Sequence, residues 1–344
     1  MEKLLTFVVP VCSQSEYRNI FLENLVMDKI PNSVEILIMY DDIHKNITYD
    51  TKRDVESGNQ RCVGIYQPSA GYGASLNEAI RVASGKYVQF INAYDYVKEA
   101  ELMRLIEKLE NVDADVIISQ RTERYTMGQK NPRLTTYLWG DDILPGKIYS
   151  LNTFSLTMHI SVDEYNMQSM IFKTEMLRSN NIRVPQGICY TEYLLPYIVL
   201  GKAQTLMYID EAFYVHNPSQ HKILSSNAFK NRLYDITTLM NVMINYYEES
   251  CHGEIVFGNQ LHFFYKSMGI WWAGLLCHSY VSKQLYLDIE KILTFVEKKH
   301  ISSRFYKKKY FYLFRKKHSY WALNFALKTY SLTHKNFYKH PHLL

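Results

Sequence analysis

Three short apolar runs near the N-terminus, FVVPV at 7–11, EILIM at 35–39 and YVQFI at 87–91, each give way at once to polar or turn-forming residues. Runs of this length and β-rich content read as strands. Between the last two lies a helical stretch, Ala74 to Ala83, opened by the turn Gly71-Tyr72-Gly73. Strand, polar loop, helix, strand in repetition predicts an α/β chain, a Rossmann-like, mostly parallel sheet flanked by helices. Such sheets bind ligands beyond the carboxyl ends of their strands. Here those ends carry Pro10, Val11, Asp41, Asp42, Asn92 and Asp95. Acidic strand ends beside a glycine-rich turn point to a nucleotide, accompanied by a metal ion.

An apolar fraction of 47% in 344 residues excludes a disordered chain and allows one large domain with a smaller one. No apolar run approaches the ~20 residues that cross a bilayer. The longest candidate, Met268 to Cys277, stops at His278. The opening MEKLLTFVVPVC reads as a first strand rather than a leader, since its apolar run is short and its charges mixed. Five scattered cysteines lack metal-type spacing and read as reduced thiols, which suits a cytoplasmic location. Charge is unevenly placed. Residues 298–344 hold twelve Lys or Arg and no Asp or Glu, leaving 27 bases against 34 acids in the first 297 residues.

Residues 1–100 are expected to form a nucleotide-binding half and 101–222 an acceptor half of one domain. Leu102, Leu105, Ile106 and Leu109 share one helical face ahead of a strand. Residues 121–165 read as a loop-rich insert, and 166–222 as two helices and two strands. From 223 onward the periodicity is helical, with Leu233, Ile236, Met240, Met243 and Ile244 in one stripe, and the basic tail 298–344 closes the chain.

The ordered set of FVVPVCSQSEY, VEILIMYDD, SAGYGASLNEAIRVASGKYVQFINAYDYV and, later, GICYTEYLLPY and YIDEAFYVH resembles the family 2 glycosyltransferases of bacterial polysaccharide and glycoprotein assembly. The resemblance implies a GT-A fold, a UDP-sugar donor, an inverting transfer and a divalent ion, Mn2+ or Mg2+. It places Asp41 at the nucleobase, whose imide N–H a carboxylate can accept. It places Gly71, Gly73, Ser75 and Asn77 at the donor, where glycines let backbone approach closely and a helix start offers N–H groups. The family's D-x-D element falls on Asn92, Ala93 and Tyr94, followed by Asp95. Its general base falls on Glu192, beside Thr191. His216 and Asp95 are the candidate metal ligands.

Departures are specific. Asp42 replaces a glycine, Leu76 and Asn217 replace arginines, and Asn92 and Tyr94 replace aspartates that hard cations favour. Three outcomes follow: Asp95 holds the ion with the diphosphate, side-chain cations replace the ion, or the domain is a non-catalytic GT-A module binding a partner glycosyltransferase or glycan. Trp139, Tyr165, Tyr190 and His221 are unassigned neighbours of these motifs; Asp210 and Glu211 read as structural.

The acid-free tail interleaves bases with Tyr310, Tyr312, Tyr320 and Trp321. This composition suits peripheral attachment to the anionic inner face of a membrane, where a lipid-linked, glycan or glycoprotein acceptor is met. Nucleic acid would use the same residue types, but no RRM-like or KH-like element accompanies them. Packing of the tail on the acidic body is the third reading, and oligomeric state stays open.

Overall fold

The structure, a computed structural model, describes residues 3–12, 30–42, 62–68, 71–93, 95–125, 133–137, 143–156, 166–217, 232–250, 253–299, 301 and 319–333. The chain divides into two compact units. One comprises Met1–Gly187, Leu195–His221 and His252–His262; the other comprises Ile188–Leu194, Lys222–Cys251 and Phe263–Leu344. The division is thus not a single cut near residue 222.

The first unit is built on a ten-stranded sheet. Its strands are β1 (Leu5–Cys12), β2 (Val34–Asp42), β3 (Cys62–Pro68), β4 (Tyr87–Phe90), β5 (Tyr96–Val97), β6 (Val116–Tyr125), β7 (Arg133–Tyr137), β8 (Ile148–Ser150), β9 (Met170–Lys173) and β10 (Thr205–His216). The order is β3-β2-β1-β4-β9-β6-β10-β5, with β7 on β6 and β8 on β10. Strands β3, β2, β1 and β4 are parallel. β9 runs antiparallel to β4 and β6, which restores β6 and β10 to the common direction. Strands β1, β2 and β4 are largely buried on both faces, which is why they read as continuous apolar runs rather than as an alternation. Phe7, Val9, Ile36, Ile38, Tyr87 and Ile171 belong to one core with α2.

Helix α1 (Tyr72–Val82) carries the chain from β3 back to β4. Its open carbonyls are satisfied by Arg178 of α3 (Thr174–Ser179), which donates to Ile80 O at 2.8 Å and to Ala83 O. Helix α2 (Glu99–Glu110) buries Leu102, Leu105, Ile106 and Leu109, the stripe expected from its periodicity. On its polar side Lys108 pairs with Asp210 at 2.7 Å and Glu211 at 2.8 Å, and Arg104 with Glu211 at 3.0 Å. These two acids sit at the irregularity of β10, where the register with β6 shifts between Ile209 and Tyr214. They tie helix to sheet, as their structural reading anticipated. At Gly85 the chain passes so close to β1 that a Cβ would lie 2.7 Å from Thr6 N, an overlap with backbone that only glycine avoids.

The insert at 121–165 differs from the expected loop. β6 continues to Tyr125 and pairs antiparallel with β7, and β8 adds to β10. β7 is largely polar and β8 only three residues long, which masks the strand signal in sequence. After α3, helix α4 (Thr191–Lys202) leads into the long strand β10, so 166–222 holds the two helices and two strands expected, with β9 ahead of the helices rather than after them.

The second unit contains α5 (Leu233–Ser250), the larger part of α6 (Glu254–Leu276), α7 (Lys283–Lys298) and α8 (Tyr320–Thr333). The α5 stripe Leu233, Ile236, Met240, Met243 and Ile244 is buried as its spacing required. Trp271 is fully enclosed and donates to Thr237 Oγ1 at 3.0 Å. Ser282 caps α7 by accepting from Leu285 N–H. Among the described residues, no helix is long and apolar enough to cross a membrane.

Candidate active site

At the carboxyl ends of the parallel strands, Cys12 of β1 lies beside Asp41 of β2, and Asp41 beside Gln67 of β3. Pro10 falls beyond the part of β1 paired to β4, Leu5 to Val8, so its missing N–H breaks no bond to that neighbour. Val11 is a core residue, which leaves only its backbone for a ligand. The side chains of Asp41 and Asp42, and all of Tyr94, Trp139, Tyr165 and His221, lie outside the described residues.

Gly71 precedes α1 with φ of +79°, a conformation that costs other residues strain. Its backbone approaches Gly187, itself at φ +73°: a Cβ on Gly71 would stand 3.6 Å from Gly187 Cα. No side chain caps the start of α1, so the amide groups at Gly73 and its neighbours are not claimed by a capping residue. Two expected donor contacts are corrected here. Asn77 donates to Val184 O at 2.8 Å and accepts from Val184 N at 2.9 Å, so its amide braces the chain that leads to Gly187. Ser75 is fully enclosed on the inner face of α1. Neither side chain is presented at the surface of the site.

Asp95 is the centre of a polar network and is completely buried. Its Oδ2 accepts from Asn92 Nδ2 at 2.9 Å and from the Tyr214 hydroxyl, and lies 3.2 Å from His216 Nδ1. Its Oδ1 accepts from Asn217 N–H at 2.8 Å. Gln168 reaches Asn92 Oδ1 at 3.5 Å. The turn that replaces the D-x-D element is thereby fastened to the end of β10. Sequence placed Asn92, Asp95 and His216 near one another only by resemblance; Tyr214 and Gln168 were not foreseen, because no spacing links them to the motif.

A carboxylate oxygen and an imidazole nitrogen 3.2 Å apart also stand near the ~3 Å expected of adjacent ligands on an octahedral divalent ion with bonds of ~2.1 Å. Among the described residues no cluster of three or more His, Cys, Asp or Glu could hold a metal. A divalent ion would therefore draw, among these residues, on Asp95 and His216 alone, and both Asp95 oxygens already accept hydrogen bonds from Asn92, Tyr214 and Asn217.

Glu192 belongs to the second unit, at the first turn of α4. It follows Tyr190, whose φ of +69° is a rare conformation for a bulky side chain. Such strain, of order 1–3 kcal/mol, persists only where the surroundings enforce it. The Arg232 guanidinium lies over the Tyr190 ring at 5.7 Å, and Tyr193 stacks on the same ring with centroids 6.3 Å apart. Cys189 N–H donates to Asp235 at 3.2 Å. Burial pushes the Glu192 carboxyl up to about 7; its own backbone N–H and the Arg232 charge work in the opposite direction. Burial likewise raises the Cys189 thiol to about 11, which keeps it protonated and unsuited to nucleophilic work. Pro196 removes the helical N–H that would reach the Glu192 carbonyl, loosening α4 at this residue. Thr191, expected as a cap, is buried, and its hydroxyl finds no hydrogen-bond partner among the described residues. Arg232 and Asp235 carry no motif, and only the fold brings them to the GICYTEYLL segment.

A family model described as Glycosyl transferase family 2 matches residues 6–176. Glycosyltransferase GlyG of Streptococcus pneumoniae is 25% identical over 142 residues, 41% of this chain and 46% of the relative. Poly(ribitol-phosphate) beta-glucosyltransferase of Bacillus spizizenii is 25% identical over 118 residues, 34% of this chain and 19% of that one. The matched segments thus span less than half of either relative. Among solved structures, S. aureus TarS 1-349 in complex with UDP superposes with a TM-score of 0.60 at 15% identity, covering 98% of this chain and 93% of that one. That likeness establishes the fold. Through residues 6–176 the chain belongs to glycosyl transferase family 2.

Proposed function

We propose that the chain is a glycosyltransferase that moves a sugar from a UDP-sugar to a hydroxyl of a glycan, lipid-linked or protein-linked acceptor, with inversion at the anomeric carbon. The observation that carries this reading is the Asp95 network, which fixes the Asn92 turn and His216 together at the end of the family 2 sheet. The relatives' names, which include a beta-glucosyltransferase acting on poly(ribitol-phosphate), and the UDP held by TarS support the reaction class and the uridine donor.

The step is a single displacement. The acceptor oxygen bonds to the anomeric carbon while the bond from that carbon to the diphosphate oxygen breaks, and the electron pair leaves with UDP. Glu192 takes the acceptor proton. A carboxylate with a pKa near 7 suits this role, being largely ionised just above neutrality yet still basic. Asp95 and His216 would hold Mn2+ or Mg2+ with the donor phosphates. Such an ion, when bound, neutralises the charge of the leaving diphosphate. Asn92 adds no anionic oxygen, so retention of the ion depends more on the nucleotide than in a two-carboxylate site. The acceptor is met at the inner face of a membrane, to which the basic, acid-free tail directs a cytoplasmic enzyme.

Calorimetry with UDP, GDP and ADP tests the donor assignment. UDP should bind tightest, and Asp41→Ala should weaken it about tenfold, the worth of one hydrogen bond to a charged group. Equal affinities for the three, or an unchanged UDP affinity in the variant, would remove uridine recognition from Asp41.

A further inference from the structure

Helix α8, YWALNFALKTYSLT, is apolar on two faces, and the fold uses one of them. Leu323, Ala326, Leu327 and Tyr330 point inward and are all but fully buried. Asn324 locks the helix in place by accepting from Val281 N–H at 2.7 Å, and the Tyr320 ring meets Tyr286 edge-on at 5.7 Å. On the other face Trp321 is 77% exposed and Phe325 60%, one helical turn apart, with exposed Lys328 continuing the row. Tyr280, packed against Tyr320, is exposed beside them. A helical face carrying large apolar side chains is normally covered. Two adjacent aromatic rings standing in water therefore mark a face with a partner.

Charge identifies that partner. The helix lies within residues 298–344, which hold twelve Lys or Arg and no acid. A symmetric contact of this face with its copy would set this charge against its own kind, whereas an anionic lipid surface complements it. Trp and Tyr favour the headgroup level, and Lys and Arg favour the anionic phosphates around it. We infer that the Trp321–Phe325 face of α8 is the surface by which the chain seats itself on an anionic membrane, rings inserted at the headgroup boundary and Lys328 on lipid phosphate. The inference rests on the proposed membrane setting of the acceptor and assigns it to particular residues.

Co-sedimentation of the full chain with phosphatidylglycerol–phosphatidylcholine vesicles, compared with phosphatidylcholine alone, tests it. The parent should pellet with the anionic vesicles only. The Trp321→Ala/Phe325→Ala variant should bind them about a hundredfold more weakly, about tenfold for each ring withdrawn. Its UDP affinity should stay unchanged, so the membrane seat and the donor reading fail or stand separately. Equal vesicle binding by parent and variant would leave attachment to charge alone and overturn the inserted face. Absence of binding by both would overturn the seat altogether. A change from dimer to monomer in the variant would assign the face to a second copy. Loss of RNA binding in the variant, without any vesicle effect, would assign it to nucleic acid.

Discussion

Glu192→Gln should lower turnover by about a hundredfold or more while leaving UDP binding unchanged, as the loss of a general base requires. In the parent, turnover should rise with pH through an apparent pKa near 7, because the carboxylate is the working form and burial raises its value to about 7. The same burial sets the sign of the stability effect. A raised carboxyl pKa means that the folded chain holds this proton more tightly than the unfolded one. The resulting stabilisation is complete below the ordinary value of 4.5 and is lost as pH rises through about 7. Glutamine carries no charge into that pocket, so the variant should melt no lower than the parent at pH 8. Arg232→Gln should move the turnover limb to higher pH, since the Arg232 charge holds the carboxyl down. A Glu192→Gln enzyme of near-normal rate would place the base elsewhere.

Asp95→Ala should be the most damaging single change in the first unit. It strips the acceptor from Asn217 N–H, the Tyr214 hydroxyl, His216 and Asn92 in a fully buried position. Removing a buried carboxylate that accepts from this many groups should cost about 3–5 kcal/mol of stability. Asp95→Asn keeps the shape and one acceptor oxygen, and should fold with a smaller loss. Titration of that variant with Mn2+ in the presence of UDP separates the two roles of the carboxylate. A stable Asp95→Asn chain that no longer couples Mn2+ to UDP binding assigns Asp95 to the ion. Unchanged coupling leaves it as a positioning residue for His216 and the Asn92 turn.

Sequence carried local order well. β1, β2 and β4 were legible because strands buried on both faces cannot hide their apolar runs, and the α2 and α5 stripes followed from helical spacing alone. What escaped was long-range. Asn77 looked like a donor contact until its amide was found on Val184, far along the chain. β7 was missed because its polar residues resemble loop, and β8 because it is only three residues long. The assignment of 188–194 to the second unit follows from its packing with residues beyond 222, and no periodicity reports such a choice. Motif order singled out Asp95, His216 and Glu192, but not the strained Tyr190 or the hydrogen bonds that give Asp95 a structural part.

The central claim, transfer of a sugar from a UDP-sugar, is most directly tested by following UDP release by NMR from a panel of UDP-sugars and, for comparison, GDP-sugars. The folded full chain would be used with Mn2+ and a polyol-phosphate or glycan acceptor mixture. Acceptor-dependent release of UDP from at least one UDP-sugar, abolished in Glu192→Gln, is the predicted result. A chain that binds UDP but releases none from any donor would contradict catalysis and leave a non-catalytic binding module. A chain that releases GDP in preference to UDP would contradict the donor assignment.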